Sequence, residues 1–249
     1  MSIADKLQTI LENEQKVYNA GYEKGKSEGG GDWYDTFWDA FQENGKRTHY
    51  NNAFVHGWDD TAFLPKYNLI CTEAMAMFQY CKITKFASKL KELGLTFDVS
   101  ACDTYRAQQM FQGSNIKDIP TLDLRNVEGL NYTFGTNSKV ETIEKLILSN
   151  KLNNVTQAFG GASNLTHIIF EGELATTGLT MQDSKLLDNE SIVSLIGILS
   201  KATSGFTVTL SKTAVNKAFE TTSGANNGAT SAEWLSLIDT KTNWNINLV

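Results

Sequence analysis

Proline is nearly missing from this chain. Only Pro65 and Pro120 occur, so no proline-rich linker divides it. Cysteine is equally scarce. Cys71, Cys81 and Cys102 make an odd count without tight spacing. That argues against a disulfide frame or a thiolate zinc site and points to buried free thiols. Of the three histidines, His49, His56 and His167, none has a ligand partner at metal-binding spacing. There is no basic block, and the net charge is −6. Nucleic acid is therefore disfavoured, because its phosphates need clustered Lys and Arg. No stretch approaches the ~20 apolar residues of a membrane span. The opening MSIADKLQTILENEQ lacks an apolar core. It does not read as a secretory signal, and the expectation is folding in a cytoplasm. No Walker, HExxH or GxGxxG pattern appears. Gly29–Gly31 has no strand before it and no Lys-Ser/Thr after it, so it reads as a linker. No cofactor is implied, and no residue is assigned a catalytic or metal-binding role.

What the chain does have is a repeated phrase. Phe78 sits in MFQYCKITKF, Phe111 in MFQGSNIKDI, Phe134 in TFGTNSKVETI and Phe159 in AFGGASNLTHI. Phe54 opens a degenerate first unit. Successive steps are twenty-four, thirty-three, twenty-three and twenty-five residues, the long one holding an insertion around Lys89–Leu95. A period in the twenties predicts stacked units, none of which can bury its apolar face alone.

The candidate strands are LTFDVS, TLDLRN, KLILSN and HIIFEG. Alternation turns Phe97/Val99, Leu122/Leu124, Leu146/Leu148 and Ile168/Phe170 inward. The residues between each pair, Asp98, Asp123, Ile147 and Ile169, step by twenty-five, twenty-four and twenty-two, which predicts one outward row. The outward set is Thr96, Asp98, Ser100, Thr121, Asp123, Arg125, Lys145, Ile147, Ser149, His167, Ile169 and Glu171. Two isoleucines on an outward row are unusual unless something covers them. This strand face is the candidate binding surface.

Residues 1–28 read as a helix and a glycine joint. Ile3, Leu7, Ile10, Val17 and Tyr18 form a heptad-like stripe, a candidate oligomerising coil. Residues 32–48 read as an aromatic helical cap, with Trp33, Phe37 and Phe41 on one face. The repeats run over 49–187. The last segment, 188–249, reads as a further repeat and a closing cap. There Asp188 or Asn189 starts a helix carrying Ile192, Leu195, Ile196 and Leu199. SGFTVTLS and WNINLV are its strands.

The phrase MFQGSNIKDIPTLDLRNVEGLNYTF resembles the BspA-like leucine-rich repeats. Their units read roughly MF-x-x-C/S-x-x-L-x-x-L-D-L-S, and Cys81 and Ser114 fall at the Cys/Ser position. The resemblance spans about Tyr50 to Leu210. It implies an α+β chain, an α/β solenoid built as an irregular leucine-rich-repeat array, with an N-terminal helix, an aromatic N-cap and an α/β C-terminal cap. The opening IADKLQTILENEQKVYNAGYEKGK and the closing LDNESIVSLIGILS and KTNWNINL are similar to phage and prophage chains of Gram-positive gut bacteria. Such chains are often associated with tail genes.

The resemblance therefore implies a virion tail or baseplate accessory protein, made in the bacterial host cytoplasm and carried in the particle. It implies a non-enzymatic module that meets a partner protein or a surface glycan. The N-terminal helix would bring copies together, for instance as a trimer. Neither nucleic acid nor membrane insertion is expected. The competing expectation is an intracellular inhibitor of a host factor. His56 with Asp59 and Asp60 reads as a polar turn, and carboxylate pairs such as Asp183/Asp188 carry no feature that sets one apart as an acid.

Overall fold

The computed structural model describes residues 38–42, 45–136, 139–200, 205–220 and 227–249. The predicted helix of residues 1–28, with Ile3, Leu7, Ile10, Val17 and Tyr18, lies outside them, as do Trp33 and Phe37 of the aromatic helix. The chain divides into two units, Met1–Arg47 with Leu64–Tyr67, and Thr48–Phe63 with Asn68–Val249.

In the first unit the described residues 38–41 are helical. Trp38 is buried and meets Phe41 edge to face at 5.5 Å. The Asp39 carboxylate accepts from Lys66 Nζ at 2.7 Å and from the Tyr67 hydroxyl. Gln42 accepts from the Tyr67 amide at 3.2 Å through Oε1.

The second unit is organised by five phenylalanines. Phe54, Phe78, Phe111, Phe134 and Phe159 are buried and stack in order. Centroid separations are 5.2, 5.4, 5.8 and 5.0 Å, with ring planes within 19° of parallel. Full burial of each ring contributes roughly 1.5–3 kcal/mol, before the entropy of ordering its turn is offset.

Around each ring the backbone makes the same turn. The residues two before and two after the Phe have positive φ in all five copies. They are Asn52 and His56, Ala76 and Tyr80, Gln109 and Gly113, Tyr132 and Thr136, and Gln157 and Gly161. Eight of the ten carry a side chain, and each pays roughly 1–2 kcal/mol for the left-handed conformation. The compensation is visible in the hydrogen bonds. In the first four turns the amides of those two residues and of the Phe donate to carbonyls of the next turn. Phe111 N donates to Thr133 O at 2.9 Å, Tyr132 N to Thr156 O at 3.1 Å and Thr136 N to Gly160 O at 2.6 Å. The left-handed residues turn these amides along the stack, where no regular strand does so.

The opposite edge carries short parallel strands. β1 (Leu69–Ile70) pairs with β2 (Phe97–Asp98). Between them lies α1 (Ala87–Leu93), which stops at Gly94 in the left-handed conformation. Next, β3 (Asp118–Ile119) and β4 (Leu122–Asp123) both pair with β5 (Thr142–Leu148), and β6 (His167–Gly172) lies on the other side of β5. Pro120 separates β3 from β4, having no N–H to give to a ladder.

The third sheet is β7 (Leu179–Met181), β8 (Phe206–Leu210) and β9 (Trp244–Leu248), all parallel. Its crossovers hold α2 (Asn189–Ile198), α3 (Lys212–Ala218) and α4 (Ala232–Asp239). Asp188 and Ser231 cap α2 and α4 with side-chain oxygens that accept from Ser191 N and Trp234 N.

The expected α/β leucine-rich-repeat solenoid is corrected by this arrangement. The described strands form three separate small parallel sheets, of two, four and three strands, with helices in crossovers of the first and third and no closed repeat array. β1 to β4 are two residues each, and no ladder joins β2 to β3 or β4, or β6 to β7.

The far end of the stack is finished by side chains. Asp183 Oδ2 accepts from Gly161 N at 2.8 Å, taking the place of a further turn. From α2, Ser191 Oγ accepts from Ile168 N at 2.9 Å and Ser194 Oγ from Phe170 N at 3.1 Å. The open side of β6 is therefore covered by hydroxyls, so that edge is not left as a template for another strand.

Candidate functional site

The inward residues of the strand edge are buried as alternation requires. Phe97, Val99, Leu122, Leu124, Leu146, Leu148, Ile168 and Phe170 all belong to the core. Of the outward candidates, Thr96, Asp98, Arg125 and Glu171 are exposed. Ser100, Thr121, Asp123, Lys145, Ile147, Ser149, His167 and Ile169 are half-buried.

The predicted row through Asp98, Asp123, Ile147 and Ile169 does not form. Asp123 lies beside Ile147, and Ile147 beside Glu171. The register of β5 on β6 shifts between Ile143 and Leu146, so that Ile143 and Leu146 face Ile168 and Phe170. Three steps along β5 match two along β6. This bulge moves Ile169 out of line with Ile147. Asp98 lies beside Ile70 in a different sheet, and Ile70 is 46% exposed.

The polar groups of this edge are engaged with one another. Arg125 and Asp123 form a two-pronged ion pair with contacts of 2.6 and 2.9 Å, and the Arg125 hydrogen bonds hold the Asp123 carboxyl below its usual pKa. Lys145 Nζ meets Glu171 Oε2 at 2.8 Å, and Thr121 Oγ1 donates to Glu144 Oε2 at 3.1 Å. Ser149 Oγ donates to Arg125 O at 2.7 Å. His167 Nδ1 lies 2.7 Å from Asp188 Oδ2. Partial burial works to raise the Asp188 carboxyl. Bonds from the Ser191 hydroxyl, His167 and the Ser191 amide outweigh it and leave the pKa low.

The turn edge differs in kind. The eight residues from four before to three after each Phe span 50–57, 74–81, 107–114, 130–137 and 155–162. Not one is Asp, Glu, Lys or Arg, although 20% of the whole chain is charged. The outward positions carry amides, hydroxyls and aromatic rings. Gln79 Nε2 donates to Gln112 Oε1 at 2.6 Å, and Gln112 Nε2 donates to Thr136 Oγ1 at 3.3 Å, linking three successive turns.

Two tyrosines lie across glycines of the next turn. Tyr80 is 43% exposed, and its ring occupies the space a Gly113 side chain would need, 2.4 Å from an ideal Cβ. Tyr105, 45% exposed, covers Gly129 in the same way at 2.5 Å and is joined there by the Gln108 amide. His56 stacks on Tyr80 at 5.6 Å. None of these residues was among the sequence-derived candidates. The available signal for His56, Tyr80 and Gln108 was the run of uncharged octets; Tyr105 and Gly129 lie outside it.

Cys71, Cys81 and Cys102 are free and buried. Burial pushes the Cys81 and Cys102 thiols up to about 12 and Cys71 higher still, which makes them inert packing groups. Among the described residues no group of three or more His, Cys, Asp or Glu is placed to hold a metal ion. No described helix is long and apolar enough to cross a membrane. Comparison with protein-family models, with curated proteins and with solved structures found no match for this chain.

Proposed function

We propose that this protein is a non-catalytic binding module of phage or prophage origin, an accessory of the virion tail or baseplate that meets a host-surface or partner molecule. The observation that carries the binding role is the presentation of side chains in fixed register. Phe stacking and turn-to-turn hydrogen bonds hold equivalent outward positions of successive turns side by side. A scaffold of this kind offers a long, preorganised surface, and preorganisation reduces the ordering cost of binding. The tail setting rests on the likeness of the opening and closing segments to phage-associated chains.

The test is mass spectrometry of purified particles from an induced prophage or a phage carrying this chain. Stoichiometric presence in the particle supports a tail component. Absence from particles, with abundant protein in the infected cytoplasm and a stable complex with a host protein, would replace this reading with the intracellular inhibitor.

A further inference from the structure

We propose that the turn edge is a binding surface for an uncharged polysaccharide. The proposal rests on the binding-module reading above and names the ligand class that one particular face would take.

The first ground is charge. At the chain-wide frequency of 20%, the five octets would hold about eight charged residues, and they hold none. Charges resume on either side of the octets. Glu73 and Arg106 precede the second and third and pair with each other at 3.6 Å, and Lys82 follows the second. Within the octets an acidic polymer would find no cation, and a basic protein surface no carboxylate.

The second ground is hydrogen-bonding chemistry. Asn52, Gln108, Gln109 and Gln157 are exposed or half-buried on the turns. Each carboxamide offers donors and an acceptor side by side, which matches the paired hydroxyls of a sugar without any net charge.

The third ground is the seating of Tyr80 and Tyr105. Each ring lies against a glycine of the neighbouring turn and still leaves more than two fifths of its residue open to solvent. A tyrosine held flat by a glycine seat presents an apolar ring and a hydroxyl at little further entropic cost. A pyranose has the complementary make-up, an apolar C–H face bordered by hydroxyls. The bonded side chains of Gln79, Gln112 and Thr136 carry the uncharged face over three turns, so the expected ligand is a chain of sugars.

The test uses the full-length protein in native gels containing dextran, laminarin, xylan or galactomannan, with polygalacturonate as the acidic control. The expected result is retardation by at least one neutral polymer. Tyr80→Ala and Tyr105→Ala should each weaken it by about tenfold or more, and Glu233→Gln on α4 should leave it unchanged. Tyr80→Leu, which keeps an apolar cover over Gly113, serves if the alanine variant loses its urea transition.

The proposal is overturned if none of the four neutral polymers retards the protein or if only polygalacturonate does. It is equally overturned if retardation survives both tyrosine changes. A protein found in particles but indifferent to every neutral polymer keeps the binding-module reading and loses this one.

Discussion

Along the turn edge, each of five Phe-centred segments repeats one backbone conformation, with left-handed residues at the same two places. Along the strand edge, the same stack yields strands of two to seven residues, a proline gap, a bulge and a helical insertion. The two edges also differ in charge, with ion pairs along the strands and no charged residue in the five octets. The difference shows where the constraint lies. A Phe ring can stack on its neighbour only if the turn around it keeps its geometry. The strand edge absorbs an insertion, a proline gap and a bulge while its outward side chains pair locally.

The largest effect should come from breaking the stack itself. Phe134→Ala, between Phe111 and Phe159, is expected to cost about 3–5 kcal/mol in urea unfolding, the range for a buried aromatic. An unchanged midpoint would mean that the rings do not organise the unit.

Gly172→Ala tests the strand edge at its tightest point. Gly172 has φ +96°, and an ideal Cβ there would lie 2.0 Å from Leu148 O, so the expected cost is about 2–4 kcal/mol. A variant as stable as the parent would show that β5 and β6 can part there freely.

Asp183→Ala removes the acceptor for Gly161 N at the end of the turn edge. The expected loss is about 1 kcal/mol, together with faster amide exchange at Gly161 than in the inner turns. Equal exchange before and after the change would show that the cap is idle.

Acid unfolding sharpens the contrast in charge. The Asp188 carboxyl has a lowered pKa in the folded chain, so its stabilisation is present above the ordinary carboxylate range. It is lost as pH falls through the folded value. Asp188→Asn should therefore decline less steeply than the parent below about pH 4. A steeper decline would reverse the sign of the linkage.

The smallest effect is expected at Lys145. Its ion pair with Glu171 lies at the surface, and Lys145→Ala should leave the urea midpoint unmoved.

Much of the main unit was legible because its core obeys simple patterns. The phrase around Phe78, Phe111, Phe134 and Phe159 marked the buried ladder, and alternation marked Leu122, Leu124, Leu146 and Leu148 as inward. A helix start at Asp188 or Asn189 was recognisable from residue type alone, and Asp188 is the cap.

Three features were hidden for physical reasons. The left-handed residues Ala76, Tyr80 and Tyr132 carry no glycine or asparagine signature, since long-range hydrogen bonds rather than local preference hold them there. The bulge in β5 inserts one residue without altering the apolar spacing that defined the strand, so Ile169 was placed beside Ile147 in error. Apolar spacing also says which residues face inward but not whether adjacent strands pair. An expected continuous repeat array therefore proved to be three short sheets.

Hydrogen exchange of the turn amides tests the central claim most directly. The account predicts that the amides of Phe54, Phe78, Phe111 and Phe134 exchange slowly and with one common free energy, while that of the exposed Arg125, which donates to the Asp123 carboxylate, exchanges faster. Phe amides that exchange independently of one another, or as fast as Arg125, would contradict it.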